Sequence, residues 1–138
     1  MSYDLAVFDP EVAPLGHGEF LAWFKQQTEW NESHSYDNPK VCSPALRQLF
    51  LEMIGEFPAM NGPHAQEEFP EDDATLTDYS VGRSLIYAAF AWSKEEQAYE
   101  IMFRLAERHR VGFFNVSSTT GEVWLPGSSG ALVLVHSS

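Results

Sequence analysis

The stretch Tyr79–Ser117 sets the tightest limit on what this chain can fold into, because it reads as strand, helix and strand without a break. Leu85–Trp92 (LIYAAFAW) carries no charge and is long enough for a strand buried on both faces. Ser93-Lys94-Glu95-Glu96 has the form of a capping box, in which the Ser93 hydroxyl accepts from the Glu96 amide while Glu96 reaches back. Ala98, Ile101, Met102, Leu105 and Ala106 then recur at helical spacing, and Tyr99 and Phe103 widen the apolar face. Arg104, Arg108, His109 and Arg110 follow in the last turns, where cations suit the helix dipole. Val111–Val116 (VGFFNV) predicts the returning strand. Such a unit is a scaffold and by itself specifies no activity.

Upstream, Tyr3–Phe8 (YDLAVF) predicts a short apolar strand, closed by Asp9-Pro10 because proline cannot donate to a ladder. A first helix is expected from about Glu19 to Glu29, with Phe20, Trp23 and Phe24 facing inward. Trp30–Lys40 (WNESHSYDNPK) is polar, aperiodic and rich in turn formers, hence a loop. A second helix starts at the N-cap Ser43 with Pro44 at the first helical position. Leu46, Leu49, Phe50, Met53, Ile54 and Phe57 form its apolar stripe, and Pro58 stops it. Two helices in succession suggest a helical hairpin over one sheet face. After a long loop, Thr75–Val81 has strand character; Gly82-Arg83-Ser84 either turns it back as a hairpin or marks a bulge. Glu122–Leu125 forms a hairpin arm after Ser117–Gly121.

The order is therefore β-α-α-β-β-α-β-β, an α+β fold with a mostly antiparallel sheet and helices packed on one face. If the first strand lies between Leu85–Trp92 and Val111–Val116, the arrangement is a split β-α-β, or ferredoxin-like, one. Residues 1–126 read as a single α+β domain, and 127–138 as a flexible tail or an additional edge strand.

Charge narrows the function classes. The formal net charge of −12 opposes binding to nucleic acid or an anionic membrane, both of which require a basic face. It leaves solubility, halophilic adaptation or attraction to a basic partner. The acids concentrate between Arg47 and Arg83, an interval without Lys or Arg, and Glu67, Glu68, Glu71, Asp72 and Asp73 crowd its long loop. The ordinary reading of such a loop is a solvated excursion; the functional one is a steering surface. The single Cys42 allows no internal disulfide, which fits a reducing compartment, and no neighbouring base marks it as reactive. The N-terminal residues lack a basic, then apolar, signal pattern, so a cytoplasmic location is expected.

Catalytic and cofactor motifs are absent from the sequence: no GxSxG, P-loop, GxGxxG or EF-hand, and no histidine pair at metal-ligand spacing. No cofactor or metal is expected. Glu32, His34 and Asp37 form a small carboxylate–imidazole group in the first loop, more often polar surface than a general base. Trp30 and Tyr36 flank that loop. Aromatics beside carboxylates make good partner anchors, since aromatic burial drives hot spots and acids steer encounter. Asp78 and Arg83 are expected to pair weakly across the hairpin.

The segments MSYDLAVFDP, TDYSVGRSLIYAAFAWS, RVGFFNVSS and GEVWLP resemble small bacterial proteins, often encoded singly or near polymorphic-toxin and secretion-system cassettes. Immunity proteins of such cassettes are typically small, acidic, cytoplasmic α+β domains without catalytic motifs. The resemblance implies a non-enzymatic immunity-type inhibitor that occludes a basic toxin, for instance a nuclease. The expected partner-binding residues are Trp30, Tyr36, Asp37, Glu67, Glu68, Glu71, Asp72 and Asp73. The alternative is a small enzyme or ligand-binding domain with a pocket near Trp30, His34, Asp37, Tyr79 and Arg83.

Overall fold

Strand β1 (Tyr3–Phe8) is the centre of the sheet, and its composition explains why: Leu5, Ala6, Val7 and Phe8 are all fully buried, so both faces need cover. The computed structural model describes residues 2–60, 62–65 and 73–137. Among these, β1, β2 (Asp78–Val81), β3 (Leu85–Phe90), β4 (Gly112–Phe114), β5 (Val123–Pro126) and β6 (Leu132–His136) form one sheet in the order β2-β3-β1-β4-β5-β6. Every neighbouring pair is antiparallel. β1 pairs with β3 from Tyr3↔Phe90 to Phe8↔Leu85, and with β4 from Ala6↔Phe114 to Phe8↔Gly112. It therefore separates the two parallel strands of the β3–helix–β4 crossover. The fold is α+β, and the four strands β2-β3-β1-β4 have the split β-α-β order expected for a ferredoxin-like arrangement. Leu132–His136 is an edge strand paired to β5 rather than a tail.

The two longer helices, α2 (Pro44–Glu56) and α3 (Glu95–His109), pack on one face. Leu46, Leu49, Phe50 and Met53 of α2 and Ala98, Met102 and Leu105 of α3 are buried there against Leu5, Val7, Ile86 and Phe113. Of the stripes read from the sequence, Leu46, Leu49, Phe50, Met53 and Phe57 and then Ala98, Met102, Leu105 and Ala106 are buried, while Ile54, Ile101, Tyr99 and Phe103 pack partly buried against them. Helix α1 (His17–Gln27) does not join α2 as a hairpin. Its Phe20 is buried against Ala6, Phe8, Leu85 and Phe114, on the opposite side of the sheet. The Phe8 and Phe20 rings lie 5.0 Å apart, and Phe20 meets Phe114 edge-on at 5.2 Å. The cause is strand periodicity: Val7 and Phe8 point to opposite faces, and a single helical layer leaves Phe8 in water.

Local details shift as well. Trp92–Lys94 is a 3-10 turn and α3 begins at Glu95, so Ser93 does not serve as its N-cap and the capping box does not form. Strand β2 starts only at Asp78, because Asp73–Thr75 is a 3-10 turn and Thr77 forms a parallel bridge with Ala59. Gly82 takes the hairpin alternative: its amide donates to the Leu85 carbonyl at 2.8 Å, closing a turn on Arg83 and Ser84.

At the α2–α3 seam, Glu52 accepts from Arg108 Nη1 at 2.7 Å and also bonds His109. The His109 hydrogen bond, then that from Arg108, holds the Glu52 carboxyl below its ordinary value. A lowered folded-state value contributes stability above the unfolded pKa and loses it as pH falls through the folded one. The group is exposed, so within ~1 kcal/mol separates wild type from Glu52→Gln near pH 6. Chemical denaturation at pH 6 and pH 3 should show that gap closing in acid.

Candidate functional site

The loop after α1 is held by its own side chains. Trp30 and Tyr36 have φ of 56° and 62°, a left-handed conformation uncommon for large residues and maintained only where surroundings enforce it. The Tyr36 amide donates to His34 Nδ1 at 3.2 Å, which leaves the proton on Nε2, and Nε2 donates to Glu32 Oε1 at 2.5 Å. The same Glu32 oxygen accepts the Arg83 amide at 3.1 Å, while the Glu32 amide donates to the Tyr36 hydroxyl at 2.5 Å. The Tyr36 carbonyl takes the Val81 amide at 2.9 Å and so covers the end of strand β2. Both imidazole nitrogens are committed. His34 thus locks the loop to the β2–β3 turn, and no lone pair is left facing a substrate.

Asp37 accepts from the Ser35 hydroxyl at 2.5 Å. Its backbone carbonyl would lie 2.6 Å from a Cβ at position 62, and Gly62 has φ of +86°, so glycine is required there. Tyr79 is on the other side of the sheet, where its hydroxyl donates to the Phe57 carbonyl at 2.7 Å and burial raises its pKa. The sheet therefore separates Tyr79 from Trp30, and the pocket expected from Trp30, His34, Asp37, Tyr79 and Arg83 is not assembled. Arg83 engages Glu32 through its amide, with its side chain exposed at the turn. Asp78 does not pair with it, since Asp78 lies across from Ala89 at the far end of the hairpin. Glu67, Glu68, Glu71 and Asp72 lie outside the described residues; Asp73 opens the 3-10 turn that leads into β2.

What the fold does bring together is a trough on the second sheet face. Helix α1 ends at Gln27, and among the described residues an open depression remains on the β2–β3 side of that face. Phe24 and Thr28, with Trp30 from the loop, line it together with Asp78 and Ser80 of β2 and Tyr87 and Ala89 of β3, around an open volume of ≈ 390 Å³. A second depression of ≈ 410 Å³ shares Asp78 and Ala89 and continues past Met60 and Ala74 to Ala91. Trp30 meets Tyr87 edge-on at 6.2 Å, and Phe24 stacks on Tyr87 at 6.2 Å. The Tyr87 hydroxyl donates to Asp4 Oδ2; burial first, then that carboxylate, pushes the Tyr87 pKa up, so it stays a donor. Among the described residues that line either depression, none is basic. Sequence reasoning named only Trp30 among these as a binding residue. The available signal was the period-2 alternation of Asp78 and Ser80 with the buried Tyr79 and Val81.

Cys42 is buried, its thiol donates to the Gly82 carbonyl at 3.3 Å, and burial pushes its pKa up to about 12. It is a packing residue with a thiol far from its reactive form at neutral pH. Among the described residues no cluster of His, Cys, Asp or Glu could hold a metal ion, and no helix is long and apolar enough to cross a membrane. No protein-family model, curated protein or solved structure matches the chain.

Proposed function

We propose that this chain is a non-enzymatic binding protein, an immunity-type inhibitor acting in the cytoplasm that occludes a basic bacterial toxin such as a nuclease. The observation that carries the reading is the trough over β2 and β3. It has Trp30 at one end, Asp78 at its middle, and Met60 and Ala74 at the other end. Met60 and Ala74 flank in sequence the segment containing Glu67, Glu68, Glu71, Asp72 and Asp73. An aromatic-walled surface on a −12 chain, edged by residues that adjoin the most acidic stretch in sequence, suits a basic partner. The commitment of both His34 nitrogens supports binding over acid–base catalysis at this loop.

In this mechanism charge accelerates encounter and aromatic burial holds the complex. Neutralising Glu67, Glu68, Glu71, Asp72 and Asp73 together should slow association by at least about tenfold at low salt and flatten its salt dependence. The measurement is stopped-flow association against the product of a neighbouring toxin gene, at several ionic strengths. Association at the wild-type rate throughout would show the acidic segment to be solubilising surface only.

A further inference from the structure

Resting on that binding reading, we infer that the trough between Trp30 and Asp78 is the seat of one arginine side chain supplied by the partner protein. Three features select this chemistry. The aromatic side chains of Trp30, Phe24 and Tyr87 gather on one wall and floor, and a guanidinium lies favourably against aromatic faces. The Asp78 carboxylate is exposed on the edge strand, and Ser80 and Thr28 add hydroxyl acceptors, a set that matches a planar fork of N–H donors. The charge is one-sided: Asp78 in the trough and Asp4 at the Tyr87 hydroxyl face no basic residue among those lining it. An acidic occupant is repelled, and an aliphatic one leaves the carboxylate unpaired as the site closes. The aliphatic stem of arginine meets Ala89 and Phe24 while its head reaches Asp78.

The probe is N-acetyl-arginine methylamide, titrated into the full chain and followed by amide and indole proton–nitrogen spectra. Saturable shifts are expected at the Trp30 indole and at the Ser80 and Ala89 amides, with a dissociation constant on the order of millimolar for so small a ligand. The lysine analogue should bind more weakly and the norleucine analogue should leave these signals unmoved. Asp78→Asn, an exposed change on an edge strand, should weaken the arginine probe about tenfold or more while the rest of the spectrum stays in place. Absence of saturable shifts at these positions, equal shifts with norleucine, or an unchanged affinity in Asp78→Asn would each overturn the arginine seat. The association test above alters only residues 67–73 and leaves Asp78 intact, so the two ideas fail separately. Steering without probe binding removes the seat and keeps the inhibitor reading. Probe binding without any steering keeps the seat and removes the role of the acidic segment.

Discussion

Replacing Phe50 by alanine lowers the unfolding free energy by about 3–5 kcal/mol, the range for deleting a buried aromatic side chain. Phe50 is 1% exposed and sits in the middle of the α2 stripe. Its ring meets Tyr79 edge-on at 5.1 Å and His64 at 5.9 Å, so it joins α2 both to the sheet and to the segment after the helix. Deletion forfeits those contacts and leaves a void that Leu46, Leu49 and Met53, already fully packed around it, are poorly placed to fill. Urea unfolding should show a lower midpoint with an unchanged slope. A loss below about 1 kcal/mol would mean that this core collapses onto the void or that the stripe is not its centre.

The same residue shows what a sequence makes legible. Helix α2 is announced by Ser43, Pro44 and an apolar position at every turn, so its existence and buried face follow from spacing alone. The central place of β1 follows from four consecutive apolar residues, because only an interior strand buries both faces. That uniformity also hides information. In Leu5–Phe8 no polar residue marks the alternation, and nothing local says that Phe8 needs a helix of its own. Helix α1 has an apolar face at Phe20, Trp23 and Phe24, yet spacing tells which side of the helix is buried and not which side of the sheet receives it. The trough was obscure for a related reason. Its residues come from α1, the loop and two strands, and only strand parity shows that Asp78, Ser80, Tyr87 and Ala89 share a face while Tyr79 does not. The Glu32 network is half local and half distant: His34 and Tyr36 lie within four residues, but the Arg83 amide arrives by way of the β2–β3 turn. A loop histidine with a nearby acid therefore reads in sequence as polar surface or a general base, and in space it is a structural tie.

Gly112→Ala should destabilise the protein by about 1–3 kcal/mol or more, a large effect for one methyl group and one that α1 rather than β4 explains. A Cβ at position 112 would stand 2.2 Å from the Phe8 ring, far inside contact distance. Gly112 pairs directly across from Phe8 in the β1–β4 ladder, and the ring lies over the missing side chain. Phe8 cannot swing away, because it is fully buried between Phe20 at 5.0 Å and Trp23 at 6.1 Å. The added carbon must therefore push the second core outward, separating α1 from the sheet or β4 from β1. Intrinsic propensity favours alanine over glycine in a strand, so the sign of the effect tests packing directly. Phe8→Leu shortens the side chain where the clash occurs and should by itself destabilise the fold, since it leaves part of the ring volume empty. In the double variant the new methyl occupies some of that space. The two changes should then be less than additive, with a coupling of about 1 kcal/mol or more in favour of the pair. Chemical denaturation of all four proteins measures that coupling, and strict additivity would show that the cost at position 112 arises somewhere other than under the Phe8 ring.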